Sequence, residues 1–187
     1  MHLSPTRGFE RAAEYAQRQK METAKQYIDR LVNELEVPII NALIFPNGDL
    51  LVLEHTIIGE RERHIVEVLC KSTIESYFEY HDHDSVSVCS VTISTENEDF
   101  IVYAGEGSWG DDGIIYVIRK KEDQLVWFFF SDCSNPFKSV EIKNDAIIAV
   151  STSDESWNIP IHAPEKMKIE KIDHVTLCKS ENNVNEK

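Results

Sequence analysis

Between Phe100 and His162 the chain is a succession of short runs rich in β-branched and aromatic residues: FIVYAGEGSWG, IIYVIRK, QLVWFFF, SVEIK, AIIAVSTS and WNIPIH. Each is bounded by Gly, Asp, Asn, Ser or Pro. Runs this short are too brief for a packed helix but span one strand of a sheet. The chain is therefore constrained to fold around successive antiparallel strands, with turns expected at 110–113, 121–123, 131–136, 143–145 and 153–156. The stretch 126–130 is apolar without alternation, which predicts a central strand covered on both faces.

Upstream, a helical stripe runs from Phe9 to about Leu35. Met21, Ala24, Ile28, Leu31 and Leu35 recur at three-four spacing, and the stripe shifts to Phe9, Ala12, Ala13 and Ala16 in the first half. The phase shift argues against a sustained coiled coil and for a helix packed across a sheet, docked mainly by its second half. Pro38 is expected to end it. Strands at 39–45 and 50–58 then flank Pro46-Asn47-Gly48-Asp49, whose Asn-Gly pair suits a tight hairpin turn with positive φ at both residues.

From 60 to 80, Val66, Leu69, Cys70, Thr73, Ile74, Tyr77 and Phe78 line one helical face, so a helix is expected, although 64–69 alone also reads as a strand. Residues 85–95 alternate as a strand with one irregularity. Weak strands follow at 167–172 and 174–178. The expected fold is α+β: a mainly antiparallel sheet of about eight strands, sandwich-like or strongly curved, with a long N-terminal helix packed on it. Its parts are a helical extension (1–36), a β-rich domain (37–179) and a disordered tail (180–187).

Charge narrows the function. The net charge is -14, and the first forty residues hold six basic and six acidic side chains, so the whole excess falls later. No Lys or Arg occurs between Ser72 and Ile118, a span with ten carboxylates: Glu75, Glu79, Asp82, Asp84, Glu96, Glu98, Asp99, Glu106, Asp111 and Asp112. Such a field repels nucleic acid and anionic lipid and favours a basic protein. No apolar stretch approaches the ~20 residues of a bilayer span, and the N-terminus lacks an apolar signal region. The four cysteines, Cys70, Cys89, Cys133 and Cys178, form no CxxC pair, which reads as reduced thiols in a cytoplasmic protein.

Candidate chemistry is sparse. Gly105-Glu106-Gly107-Ser108-Trp109-Gly110 matches G-x-G-x-x-G and follows a strand, but a dinucleotide site needs a helix next, and here Asp111, Asp112 and another strand follow. His81-Asp82-His83-Asp84 is a metal-like cluster that His55, His64 or His162 could complete in a fold; a solvated loop is the simpler reading. Cys133, in Asp-Cys-Ser-Asn-Pro, has no sequence neighbour able to activate it. No catalytic residue, cofactor or metal ligand set is assigned, and the chain reads as a non-enzyme. The alternative is a small metal- or nucleotide-dependent enzyme using His81 to Asp84 or Gly105 to Gly110.

Of the three tryptophans, Trp127 sits in an apolar strand, whereas Trp109 and Trp157 adjoin the acidic turns Asp111-Asp112 and Asp154-Glu155. Aromatic anchors ringed by carboxylates suit a surface for a basic partner. The expected partner-binding set is Glu106, Trp109, Asp111, Asp112, Asp82, Asp84, Asp154 and Trp157. With its acidic, sheet-rich chain, its Asp112-Gly113-Ile114-Ile115-Tyr116 strand start and the later Ala146-Ile147-Ile148-Ala149-Val150 and Trp157-Asn158-Ile159-Pro160-Ile161 pieces, the sequence resembles bacterial polymorphic-toxin immunity proteins over residues 105–164. The resemblance implies a stoichiometric inhibitor that caps a toxin's active site, most concretely that of a basic toxin such as a nuclease; the chain itself is expected to be a monomer or weak dimer. Without it, the residues lead to an acidic protein-binding module.

Overall fold

In a computed structural model describing residues 24–59, 63–82 and 85–172, the chain begins with helix α1 (Ala24–Asn33). Strands β1 (Glu36–Pro38), β2 (Ala42–Ile44), β3 (Asp49–Ile58) and β4 (Arg63–Thr73) follow, then helix α2 (Ile74–Tyr80). The remaining strands are β5 (Val86–Val88), β6 (Ser90–Glu96), β7 (Phe100–Glu106), β8 (Gly113–Arg119), β9 (Gln124–Ser131), β10 (Phe137–Lys143), β11 (Ala146–Ser151), β12 (Glu155–Pro160) and β13 (Lys168–Lys171). All pairings are antiparallel. They make a seven-stranded sheet in the order β4-β3-β2-β9-β8-β7-β6, a four-stranded sheet β10-β11-β12-β13, and the ribbon β1-β5. Among the described residues no helix is long and apolar enough to cross a membrane.

The layering follows from side-chain parity along β8 and β9. Successive strand residues point to opposite faces, so Ile115, Val117, Trp127 and Phe129 face one way and Ile114, Tyr116, Phe128 and Phe130 the other, all buried. The first set meets Phe137, Ile147, Ala149, Trp157, Ile159 and Ile169 of the small sheet. The second is covered by Tyr27, Ile28 and Leu31 of α1, by Ile74, Tyr77 and Phe78 of α2, and by Val37 of the ribbon. Each large apolar side chain fully buried here contributes about 1.5–3 kcal/mol relative to exposure. The uninterrupted apolar run of β9 is thus covered on both faces, as its lack of alternation implies.

Several expectations are corrected. Among the described residues thirteen strands stand where about eight were expected, partly because β1 and β5 form a separate short ribbon and 85–95 divides at Cys89. There the chain leaves β1 to join β7, with Cys89 N donating to Leu35 O at 2.9 Å. Of the helix expected from Phe9 to Leu35, α1 supplies Ala24–Asn33, and the first half of that expectation lies outside the described residues. It ends at Asn33, and Leu35, whose φ of 53° breaks the helical path, follows before Pro38, which lies in β1.

Residues 60–80 are not one helix. From Arg63 to Thr73 they form β4, because pairing with β3 along ten register positions outweighs a helical stripe that would leave one edge of β3 unpaired along its whole length. Thr73 then caps α2 by accepting from Ser76 N at 3.2 Å. In the β2–β3 hairpin only Gly48 has positive φ (87°), and its N donates to Phe45 O at 2.9 Å. Pro46 and Asn47 therefore form an ordinary turn closed by a left-handed Gly, a three-residue loop in place of the two-residue Asn-Gly turn. The weak strand at 167–172 is β13; the one at 174–178 and the tail lie outside the described residues.

Candidate functional site

The β7–β8 connection, residues 107–112, is built from the inside. Asp112 is 1% exposed. Its Oδ1 accepts from Trp109 N at 3.2 Å and its Oδ2 from Ser87 Oγ at 3.1 Å. Ser87 Oγ in turn accepts from Ser108 N at 3.1 Å, and Ser108 Oγ clamps Val88 by accepting from its N (3.1 Å) and donating to its O (2.8 Å). A buried carboxylate bonded to backbone N–H fixes a loop because releasing it would strand several polar groups. The result is a stiff connection from whose tip Trp109 projects, 73% exposed.

Two exposed apolar residues stand on strands tied to this loop and to the end of β7: Val88 (59% exposed), joined to the loop through Ser108, and Val91 (37%), the register partner of Gly105. Glu106 and Asp111 are exposed at the two ends of the loop. Two further loops share this end of the sheets: Asn135 N donates to Asp111 O at 2.8 Å, and Thr152 N to Pro136 O at 2.8 Å.

The expected partner-binding residues divide. Trp109, Glu106 and Asp111 come together at this end. Asp154 lies in the third of these loops and pairs with Lys138. Asp112 is no steering charge, since both its oxygens work inside the loop. Trp157 is no surface anchor either: it is 1% exposed, packed against Phe129 and Phe137 at ring distances of 5.5 and 5.7 Å. Asp82 is exposed beyond α2, and Asp84 lies outside the described residues. The lysine-free span is also split. Glu96, Glu98 and Asp99 are exposed in the β6–β7 turn, at the far end of the seven-residue β7 and so about 20 Å from the loop.

The glycine motif has a structural account at every position. A Cβ on Gly105 would lie 1.9 Å from Ser90 O, and one on Gly107 would lie 2.1 Å from Asp112 Oδ2, while Gly110 has φ 85°. The amides of Ser108 and Trp109, which would have to face a phosphate, already donate to Ser87 and to the Asp112 carboxylate, and β8 follows where a nucleotide loop needs a helix. His81 stacks on Tyr77 with ring centroids 4.1 Å apart, and its Nδ1 lies 2.8 Å from Tyr77 O. Among the described residues no three His, Cys, Asp or Glu side chains are grouped to hold a metal.

One constellation was missed. His55 Nδ1 lies 3.3 Å from Cys133 Sγ, His55 Nε2 lies 2.9 Å from His64 Nδ1, and His64 Nε2 faces Glu155 Oε1 at 3.7 Å. The β3–β4 register, His55 opposite Val66 and Ile57 opposite His64, makes the two histidines diagonal neighbours on the face turned to β12, where Glu155 sits. Cys133 arrives from the β9–β10 loop, which is held by a reciprocal pair: Asn41 Nδ2 donates to Asp132 Oδ1 and Asp132 N to Asn41 Oδ1, both at 2.7 Å. Burial, then the neighbouring His64, holds His55 below its ordinary range, with Asp132 opposing. Burial, with Asp132 and Glu155 adding to it, pushes the Cys133 thiol up.

The fold is thus an antiparallel two-sheet sandwich with a third layer of helices and ribbon, and its described surface offers an anchored aromatic loop and a thiol–imidazole chain at one end. Neither family models, nor curated proteins, nor solved structures gave a match to the chain.

Proposed function

We propose that the chain is a protein-binding module for a basic partner, contacting it through the 107–112 loop. In its most concrete form it is a stoichiometric inhibitor that neutralises a basic toxin such as a nuclease, as the immunity-protein resemblance implies. The observation that carries this reading is Trp109: a 73% exposed indole on a loop locked by a buried carboxylate. A rigid aromatic anchor loses little freedom on binding, which is why such residues dominate interface energetics. Val88 and Val91, on strands tied to this loop and to the end of β7, add exposed apolar surface, while Glu106 and Asp111 supply charge at the rim.

The two parts separate kinetically. On the complex with a basic toxin from the same cell, Trp109→Ala should mainly speed dissociation and weaken binding by roughly 2 kcal/mol or more, with thermal stability unchanged. Asp111→Asn together with Glu106→Gln should slow association and flatten its dependence on salt, with little change in dissociation. Measurement of both rates at two ionic strengths distinguishes these effects. Unchanged rates in both variants would remove the loop from the interface.

A further inference from the structure

We infer that Cys133, His55, His64 and Glu155 form a proton-transfer chain that makes Cys133 a nucleophile toward small-molecule disulfides, and hence a site of reversible thiol modification. The geometry allows one consistent run of hydrogens. If Cys133 Sγ–H points to His55 Nδ1, then His55 carries its hydrogen on Nε2 and donates it to His64 Nδ1 at 2.9 Å. His64 then carries its own on Nε2, facing Glu155 Oε1 at 3.7 Å. The His64 and Glu155 side chains are 1% and 8% exposed, and neither His64 Nε2 nor Glu155 Oε2 has a protein hydrogen-bond partner. Two side chains buried this deeply with polar atoms turned toward each other are poorly explained as packing, since desolvation without a partner is costly. They are explained by the positive charge that the histidine pair takes up when the thiol gives its proton away.

In the step, the Cys133 sulfur attacks one sulfur of R–S–S–R. A new S–S bond forms at Cys133 as the original one breaks, so Cys133 is oxidised and the departing RS fragment is reduced. The thiol proton passes to His55 Nδ1 and then to the departing thiolate, giving R–SH. His55 touches the reacting atom and is the base; His64 is a positioning residue that fixes the tautomer of His55 and relays charge toward Glu155. Ser131 Oγ, 3.5 Å from Cys133 Sγ, helps to seat the sulfur. A single metal ion is a poor alternative occupant, because His55 turns different nitrogens to Cys133 and His64.

Two other thiols serve as internal comparisons. Cys70 is exposed on β4. Cys89 is buried and pushed up to about 12, chiefly by burial. The groups facing His55 are Cys133, His64 and Asp132, with Glu155 behind His64. With the imidazole held low and the thiol high, the resting proton stays on Cys133 and His55 is the free base that takes it up in the step.

The test is reaction of the full chain with a chromogenic aryl disulfide, each cysteine being followed by peptide mass mapping. At neutral pH Cys133 should react roughly tenfold faster than Cys70. Its rate should rise as His55 loses its proton, below the ordinary histidine value of 6.5, and then level off. A thiol without a base instead gains about tenfold per pH unit up to its own pKa. His55→Gln should slow Cys133 roughly tenfold and leave Cys70 unchanged. His64→Leu should slow it and move the inflection, whereas His64→Gln, which keeps an acceptor for His55 Nε2–H, should restore most of the rate. Cys133 reacting no faster than Cys70, or a Cys133 profile that climbs without levelling in the unsubstituted chain, would overturn the inference even if every variant failed to fold.

Discussion

Trp157→Ala should lower folding stability by about 3–5 kcal/mol, read as a fall in the urea midpoint at unchanged slope. The indole is 1% exposed and sits where β12 faces the large sheet, its ring 5.5 Å from Phe129 and 5.7 Å from His55 across the interface and 5.7 Å from Phe137 of its own sheet. Truncation would open a cavity between two sheets whose strands are hydrogen-bonded on both sides, so little collapse can fill it. Trp157→Phe should cost about 1.5 kcal/mol or less, because it keeps ring contacts and removes an indole N–H that has no protein acceptor. Trp127 differs in this respect, since its Nε1 donates to Ile161 O at 2.8 Å. A loss below about 1 kcal/mol for Trp157→Ala, far under the usual core truncation, would contradict the packing of the small sheet on the large one.

Gly105→Ala should be about as damaging, costing about 3 kcal/mol or more and showing first as lost hydrogen-exchange protection in β6. The new Cβ would lie 1.9 Å from Ser90 O and 3.0 Å from Val91 Cα, both backbone atoms of the paired strand. No side-chain rotation relieves that clash, and the register between β6 and β7 already shifts between Val91 and Ile93 to accommodate the approach. Gly110→Ala is the contrast within the same motif. It meets nothing within 4 Å and carries only the penalty of a positive φ, 85°, about 1–2 kcal/mol. A nucleotide-binding account of these glycines would instead make stability indifferent to Gly105.

The parts of this fold legible in the sequence are those set by local chemistry. The hairpin around Pro46 to Asp49, the turns between β7 and β12, and the two-sided burial of β9 all follow from turn residues and apolar patterning. Misreadings arose where a local pattern had two meanings. The helical stripe from Val66 to Phe78 is real as a periodicity, but Leu69 is 64% exposed and Val68 39%, because β4 is an edge strand bulged against β3. Trp157 was assigned to the surface by its acidic neighbours. The alternation Trp157, Ile159, Ile161 was the better signal, and all three are at most 1% exposed. Asp112 looked like a surface charge because nothing local shows that Ser87 and the Trp109 amide close over it.

The Cys133 chain was beyond local reading altogether. His55 and His64 meet only through a hairpin register, and Cys133 and Glu155 reach them from the β9–β10 loop and from a strand of the other sheet. A histidine beside Cys133 in space is therefore compatible with none beside it in sequence.

The binding account is tested most directly by photo-cross-linking from position 109. A benzophenone amino acid placed there preserves an aromatic side chain on the locked loop. The same residue placed at Glu98, exposed in the acidic turn at the opposite end of β7, controls for non-specific attraction between acid and base. In the cell of origin the account predicts one major one-to-one adduct from position 109 with a protein of basic isoelectric point, absent from position 98 and weakened by Asp111→Asn. Equal adducts from both positions, or none from position 109 while the chain is folded, would contradict it.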